Sequence, residues 1–404
     1  MNDMTQPPYW TEDWWISEYN FAEEIRESFD FADQVGIHDC TLRDGEQTSG
    51  VVLRKDEKIE IARMLDEVGV ARIEAGMPAV SKEDAEAITE IAKAGLKAQI
   101  VVFSRAMAAD IDRAVDCGVD GVIIEVPSGY PKLKYQFKWS EEQVIDKSVE
   151  ALAYAKEKGL ETIFFPHDTT RAKMSFLERL LAEVTRQAKP DSTVVVDTTG
   201  SALPAGVKYL VKEVRSMVDI PVEVHTHNDF GMGVATTVAG AEGGANMLHV
   251  CINGLGERTG NASLEEVAVV MQVLYGVDLG IKMDKLVELS RLTERLGGIK
   301  LPRNKPIVGE ACYTRETGLF MDVLRETPLA IFPLHADVLG REFEIVLGKK
   351  SGKASISVKL EEAGLEATEE QIQEILAEVK SRAISRKELI SDTEFREIAE
   401  SFIE

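Results

Sequence analysis

From Gly36 to Ile252 the sequence alternates short apolar runs with longer stretches of helical periodicity. The apolar runs predict strands at Gly36–Cys40, Ala71–Ala75, Ala98–Phe103, Gly121–Val126, Glu161–Phe165, Thr193–Val196, Val222–His225 and Leu248–Ile252. The segments between and after them predict helices at Lys55–Val68, Ser81–Ala94, Ala109–Cys117, Ser140–Lys158, Ser175–Ala188, Pro204–Met217, Gly233–Gly243 and Ser263–Tyr275. In the first of these, Ile59, Ala62, Leu65 and Val68 mark the buried stripe. Gly69, Gly95, Gly118, Gly159 and Gly243 stand where helices should stop, as a left-handed cap requires. Strands that are nearly all apolar are parallel strands covered by helices. Eight strand–helix units predict a closed (β/α)8 TIM barrel rather than an open doubly wound sheet. The absence of a GxGxxG turn after the first strand points the same way.

The alternation stops near residue 280. A helix at Asp284–Leu296 leads into the Pro/Gly-rich stretch 297–306, and 307–404 reads as short strands and amphipathic helices, with Glu369–Ala383 the clearest. The expected organisation is an N-terminal arm (1–30), a catalytic TIM barrel (31–280), and a linker with a smaller α+β C-terminal region (281–404). The arm carries Tyr9, Trp10, Trp14, Trp15 and Tyr19, three of the four tryptophans of the chain. So aromatic a segment should pack against the body or a second subunit.

Composition narrows the function. A net charge of −24 argues against nucleic acid and membrane surfaces as partners, though not against a small anion held by a few local cations. No apolar run approaches a membrane span, and the acidic N-terminus lacks the layout of a signal peptide. Four scattered cysteines without CxxC spacing read as reduced thiols of a cytoplasmic protein.

The chemistry collects after the strands. His225 and His227 close the seventh strand two residues apart, so both imidazoles face one point. The first strand is followed by Asp39-Cys-Thr-Leu-Arg-Asp-Gly-Glu-Gln47, the second by Glu74-Ala-Gly-Met-Pro78, the third by Ser104-Arg105 and the fifth by His167-Asp168-Thr169. Asp197-Thr-Thr-Gly200 follows the sixth, and Asn253–Asn261 the eighth. A barrel places all of these on one rim, where active sites sit. Two histidines with oxygen ligands from Asp44 and an amide, and no cysteine, suit Zn2+, Mn2+, Mg2+ or Co2+. Such a site chelates a 2-oxo acid and acts as a Lewis acid, with Arg43 stabilising oxyanion charge. The plainer alternatives are a polar strand end for the histidines and a local ion pair for Arg43–Asp44.

Thr41-Leu-Arg-Asp-Gly-Glu-Gln47, His225-Thr-His-Asn-Asp229 and Asn253-Gly-Leu-Gly-Glu-Arg-Thr-Gly-Asn-Ala-Ser-Leu-Glu-Glu266 together resemble the DRE-TIM metallolyases, in the branch of 2-isopropylmalate, homocitrate and citramalate synthases. The resemblance spans roughly 35–360. It implies Claisen-type condensation of acetyl-CoA with a 2-oxo acid, followed by thioester hydrolysis. It also implies a divalent metal on Asp44, His225, His227 and Asn261, with Arg43, Gln47 and Thr198 holding the 2-oxo acid. Phe103-Ser-Arg105-Ala and Ile111-Asp112 resemble the homocitrate branch, which places Arg105 at the substrate pocket. The loop before Asn261 lacks the cysteine of the related lyases; a lyase or aldolase running the same enolate chemistry in the cleavage direction is the alternative.

Two departures stand out. His167-Asp168 replaces a glutamate–aspartate pair, making His167 either a general base or a residue that shapes the pocket. Phe320, in Thr317-Gly-Leu-Phe320, stands where the family has a catalytic histidine, and a tyrosine expected near Ile331-Phe332 is missing; His167 or His335 then carries the acid–base work, or the reaction differs. Lys349, Lys350 and Lys353 suit coenzyme A phosphates or form a solvated basic turn. The resemblance further implies a homodimer, in amino-acid biosynthesis. The chain ends too soon for the regulatory domain of full-length isopropylmalate synthases, so feedback inhibition through one is not expected.

Overall fold

The computed structural model describes residues 7–319 and 321–403, without the side chains of Met321, Asp322 and Arg325. The chain divides into two compact units. Glu18–Leu301 forms one, and Pro302–Glu404 with the described part of Met1–Ser17 forms the other.

The first unit is a closed barrel of eight parallel strands in sequential order: β1 Gly36–Asp39, β2 Arg72–Glu74, β3 Gln99–Arg105, β4 Gly121–Pro127, β5 Glu161–His167, β6 Ser192–Asp197, β7 Val222–Thr226 and β8 Met247–Val250. Closure comes from β8 pairing with β1, His249 opposite His38. After the strands come helices α1 Lys55–Val68, α2 Lys82–Ala92, α3 Ala108–Cys117, α4 Glu141–Glu157, α5 Met174–Gln187, α6 Pro204–Met217, α7 Gly233–Glu242 and α8 Leu264–Val269. The expected fold class is the one found.

Local signals explain the helix boundaries. Ser140 and Gln143 close a reciprocal capping box on α4, and the Ser81 hydroxyl accepts the Asp84 N–H at the start of α2. Gly69 ends α1 at φ 105°, where an added Cβ would lie 2.4 Å from the Gly280 carbonyl oxygen. The α7 stop corrects the sequence reading: Gly243 is right-handed (φ −84°), and Gly244 takes the left-handed position (φ 98°). Beyond Val269 the expected eighth helix widens into a π-helical turn, Val270–Tyr275, whose last carbonyl accepts from Arg26.

Alternate strand residues face the barrel interior, and there the two halves differ. From β3 to β6 the interior is mostly apolar: Val101, Ile123, Ile163, Phe165, Val194 and Val196 form one cluster. From β7 round to β2 it is charged and fully packed. Arg72 Nη1 donates to both Glu223 oxygens at 2.9 Å, and His249 Nε2 lies 2.7 Å from Glu223 Oε2. The His38 and His249 rings stack at 4.0 Å and 5°, and His38 Nε2 lies 3.6 Å from Glu74 Oε2. Arg72 also reaches Glu161 at 3.3 Å. Buried charges persist only when paired, and each of these is.

In the second unit, helices α10 Lys353–Ala363, α11 Glu369–Arg386 and α12 Asp392–Ile403 surround Ile356, Leu360, Ile375, Val379, Phe395 and Ile398. (Helix α9, Leu286–Gly297, closes the barrel unit.) Trp10 and Trp15 stack with centroids 4.9 Å apart, Trp14 forms a bridge to Leu334, and the His335 N–H donates to Asp13. The first part of the aromatic arm therefore packs on this unit. No helix among the described residues is long and apolar enough to cross a membrane.

Candidate active site

The site begins with a tight turn at the end of β1. The two oxygens of Asp39 accept the N–H and the hydroxyl of Thr41, each at 2.9 Å, and the turn carries Arg43 and Asp44 to the barrel mouth. There Asp44 Oδ2 lies 3.3 Å from His225 Nε2 and 3.7 Å from His227 Nε2, with the two nitrogens 3.3 Å apart. All three side chains are buried. Burial lowers the pKa of both histidines against the pull of Asp44, that of His227 to about 4 with His225 adding to the effect, so both rings are neutral near pH 7.

Asn261 completes the set. Its amide nitrogen donates to the Leu255 carbonyl at 3.1 Å and contacts Cys251 Sγ, which fixes the amide and leaves Oδ1 buried without a partner. Asn261 also bridges His227. Three donor atoms 3.3–3.7 Å apart have the spacing of ligands around one ion at bond lengths of about 2.0–2.2 Å. Together with the orphaned amide oxygen, they fit a divalent cation with nitrogen and oxygen ligands. Arg258 ties the surrounding loops together: it donates to both oxygens of Asp229 after β7 and to the Thr198 carbonyl after β6.

Arg43 is held on two sides. Nε donates to Glu74 Oε1 at 2.7 Å and Nη1 lies 3.2 Å from Asp44 Oδ2, while Nη2 is buried with no partner. Burial opposes its charge, but Glu74 and Asp44 outweigh burial and raise its pKa. Arg43, Asp44, Gln47, Thr198, His225 and His227 line a cavity of about 190 Å³ together with Phe103, Glu125, Phe165, His167, Val196 and Glu257. Thr198 Oγ1 accepts the Asp168 N–H at 2.9 Å, so its own proton is available to a ligand.

His167 Nε2 lies 3.8 Å from Glu125 Oε1, and its Nδ1 is buried without a partner. Burial, reinforced by Lys132, lowers the His167 pKa to about 3; burial raises that of Glu125. Asp168 turns away at φ 68° into a two-point ion pair with Arg171.

Not every expected residue comes together. Arg105 is not among the cavity residues; it is largely exposed and doubly bonded to Asp110, which waits in the first turn of α3 at 2.6 and 3.0 Å. His335 belongs to the second unit, where its Nδ1 accepts the Asp337 N–H. Phe332 packs there between Tyr313 and Phe343, Lys349 and Lys350 are exposed, and Lys353 sits 3.9 Å from Glu369. Phe320 lies outside the described residues. Two charged cavity residues were missed from sequence. Glu125 sits within an apolar strand, and its inward parity with Ile123 was the available signal; Glu257 lies inside a motif read for its asparagine.

Comparisons with known proteins assign the chain to a family. Residues 34–293 match the HMGL-like family, and 307–387 match the homocitrate synthase post-HMGL domain. The fold is shared with hydroxymethylglutaryl-CoA lyase from Pseudomonas aeruginosa (TM-score 0.61, 18% identity, 70% of this chain and 98% of that one). The chain belongs to the HMGL-like family of TIM-barrel enzymes. Within it, the chain falls among the acyltransferase-type synthases. It is 40% identical to homocitrate synthase AksA of Methanopyrus kandleri over 95% of this chain and 96% of that protein. It is 42% identical to (R)-citramalate synthase CimA (86% and 70%) and 38% to 2-isopropylmalate synthase (96% and 75%), both of Methanocaldococcus jannaschii.

Proposed function

We propose that the protein condenses acetyl-CoA with a 2-oxo acid to give a 2-alkylmalate-type product and free coenzyme A. The observation that carries this reading is the pairing, in one small cavity, of the Asp44–His225–His227 cluster with the partnerless Nη2 of Arg43. Asp44, His225, His227 and Asn261 would hold a divalent ion (Zn2+, Mn2+, Mg2+ or Co2+), which supplies Lewis-acid polarisation of the keto oxygen. Arg43 Nη2 stabilises the developing alkoxide, and the Thr198 hydroxyl and Gln47 hold the carboxylate. His167, neutral and lining the same cavity, takes a proton from the acetyl methyl group. The methyl carbon then bonds to the keto carbon, the keto oxygen is protonated, and water cleaves the thioester to carboxylate and thiol. The homodimer and the cytoplasmic location that the relatives' biosynthetic character suggests belong to the same proposal.

The test is thiol release from acetyl-CoA by metal-loaded protein across pyruvate, 2-oxoisovalerate, 2-oxoglutarate and oxaloacetate. Release that depends on one of them establishes the reaction and names the substrate. Silence with all four, together with cleavage of a 2-alkylmalyl thioester, would overturn it in favour of the lyase direction.

A further inference from the structure

Glu125 brings a carboxylate into the cavity from inside an apolar strand, Gly121-Val-Ile-Ile-Glu-Val-Pro127. A charge in such a setting is ordinarily paired. Here the carboxylate makes one polar contact among the described residues, to His167 Nε2 at 3.8 Å, beyond hydrogen-bond reach and to a ring that burial keeps neutral. Burial raises the Glu125 pKa, and Arg43 and Lys132 only partly oppose it.

The strand order fixes where this carboxylate enters. The proposed ion is held from β7 and from the turn after β1. Strand β4 stands three strands from each, the greatest separation from both that a closed eight-stranded barrel allows. A 2-oxo acid that chelates an ion through its carboxylate and keto oxygens carries its remaining carbons away from that ion. Its side chain therefore extends toward β3, β4 and β5, which supply Phe103, Glu125 and Phe165 to the cavity. Phe103 and Phe165 meet there edge to face at 5.9 Å.

A second carboxylate would find no cation in this part of the cavity. Among the described residues Arg43 is the one guanidinium or ammonium group that lines it, and it is already shared between Glu74 and Asp44. Arg105, at the end of β3, is doubly bonded to Asp110 outside the cavity, and Lys132 does not line it. A dicarboxylic 2-oxo acid would leave its far carboxylate unpaired beside Glu125, an arrangement that like charges strongly disfavour.

We propose that Glu125 is a specificity-determining residue, which restricts the site to 2-oxo acids with one carboxylate and an uncharged side chain and turns dicarboxylic ones away. The proposal rests on the 2-oxo acid reading above and narrows its substrate class. The product would then carry two carboxylates, one from the 2-oxo acid and one from the hydrolysed thioester. Apolar walls alone discriminate weakly between similar side chains, whereas a fixed like charge rejects by repulsion.

The experiment measures binding to full-length, metal-loaded protein by calorimetry at neutral pH, without acyl-CoA, for 2-oxovalerate and 2-oxoglutarate. The two have the same chain length and end in a methyl group or a carboxylate. Wild-type protein should bind 2-oxovalerate about tenfold or more tightly than 2-oxoglutarate. Glu125→Gln, which keeps the shape and removes the charge, should bring the two within about threefold by strengthening 2-oxoglutarate, and Glu125→Ala should do the same. Equal or tighter binding of 2-oxoglutarate by wild type would overturn the proposal. So would an unchanged ratio in both variants with their metal content retained. Thiol release separates this outcome from the synthase reading. Discrimination in binding, with no release from acetyl-CoA for any 2-oxo acid, overturns the synthase reading and leaves the role of Glu125 standing. Release that prefers 2-oxoglutarate overturns the role of Glu125 alone.

Discussion

The guanidinium of Arg43 lies 4.5 Å above the centroid of the Phe103 ring, so its plane is fixed by stacking as well as by Glu74 and Asp44. A lysine has no plane to stack and a single nitrogen to share among three demands. Arg43→Lys should lower kcat by about 100-fold or more while leaving the fold intact. Steady-state kinetics checked against the far-UV spectrum decides it; a variant within a few fold of wild type would remove Arg43 from the oxyanion role.

The proposed metal ligands and the proposed base separate by readout. His227→Ala should lose both bound metal and turnover. His167→Ala should keep its metal and turn over slowly. Metal content after dialysis and thiol release, measured side by side, distinguish the two, and full activity in His167→Ala would disqualify it as the base.

Gly260 shows how closely the loop before Asn261 is folded. At φ 86° an added Cβ would lie 1.8 Å from the Gly254 carbonyl oxygen. Gly260→Ala must displace the loop and should weaken metal binding by about 10–100-fold, as loss of ligand support generally does. Gly50 is the control: its φ is 95° but nothing lies within 4 Å, so Gly50→Ala should cost about 1–2 kcal/mol of backbone strain and leave metal affinity unchanged. Equal metal affinity in the two variants would refute the distinction.

In the barrel interior, Glu223→Gln leaves Arg72 buried beside a neutral amide. The single variant should lose about 3–5 kcal/mol in denaturant unfolding. The double variant Arg72→Met/Glu223→Gln should regain part of it, because neither charge is then stranded. Additive losses would mean that the pair is not coupled.

Stability should also depend on pH with a definite sign. Burial and the stacked His38 hold His249 at about 4, below its unfolded value near 6.5. Between those values the unfolded chain binds the extra proton, so stability rises with pH across the window and is lost as pH falls from 6.5 to 4. The lowered carboxyl of Glu223, where burial is outweighed by Arg72, adds a loss of the same sign below the ordinary carboxylate range. The melting temperature of metal-free protein should therefore fall steadily over that window; a flat profile would contradict the buried neutral imidazole.

The barrel was legible because strands such as Val194-Val-Val196 are buried on both faces and read as unbroken apolar runs. The Asp44–His225–His227 cluster was legible because its pieces sit within short motifs at strand ends. The interior charges were not, since Arg72 and Glu223 are 151 residues apart and a charge in a strand ordinarily signals its solvent face. Glu125 was passed over for the same reason. Arg105, which the resemblance placed at the pocket, is held by a carboxylate five positions on, a contact that its place just past an apolar run does not announce. Nothing in Val270–Tyr275 announces a π-turn, as i→i+5 bonding leaves no distinct periodicity.

The charged half of the interior has a last consequence. From Glu161 through Arg72, Glu223, His249, His38, Glu74 and Arg43 to Asp44, successive side chains sit within 4.0 Å of one another, counting the stacked imidazoles. The floor of this barrel is therefore not an inert foundation beneath the chemistry. Anyone replacing it with aliphatic side chains to harden the protein would be retuning the arginine at the other end.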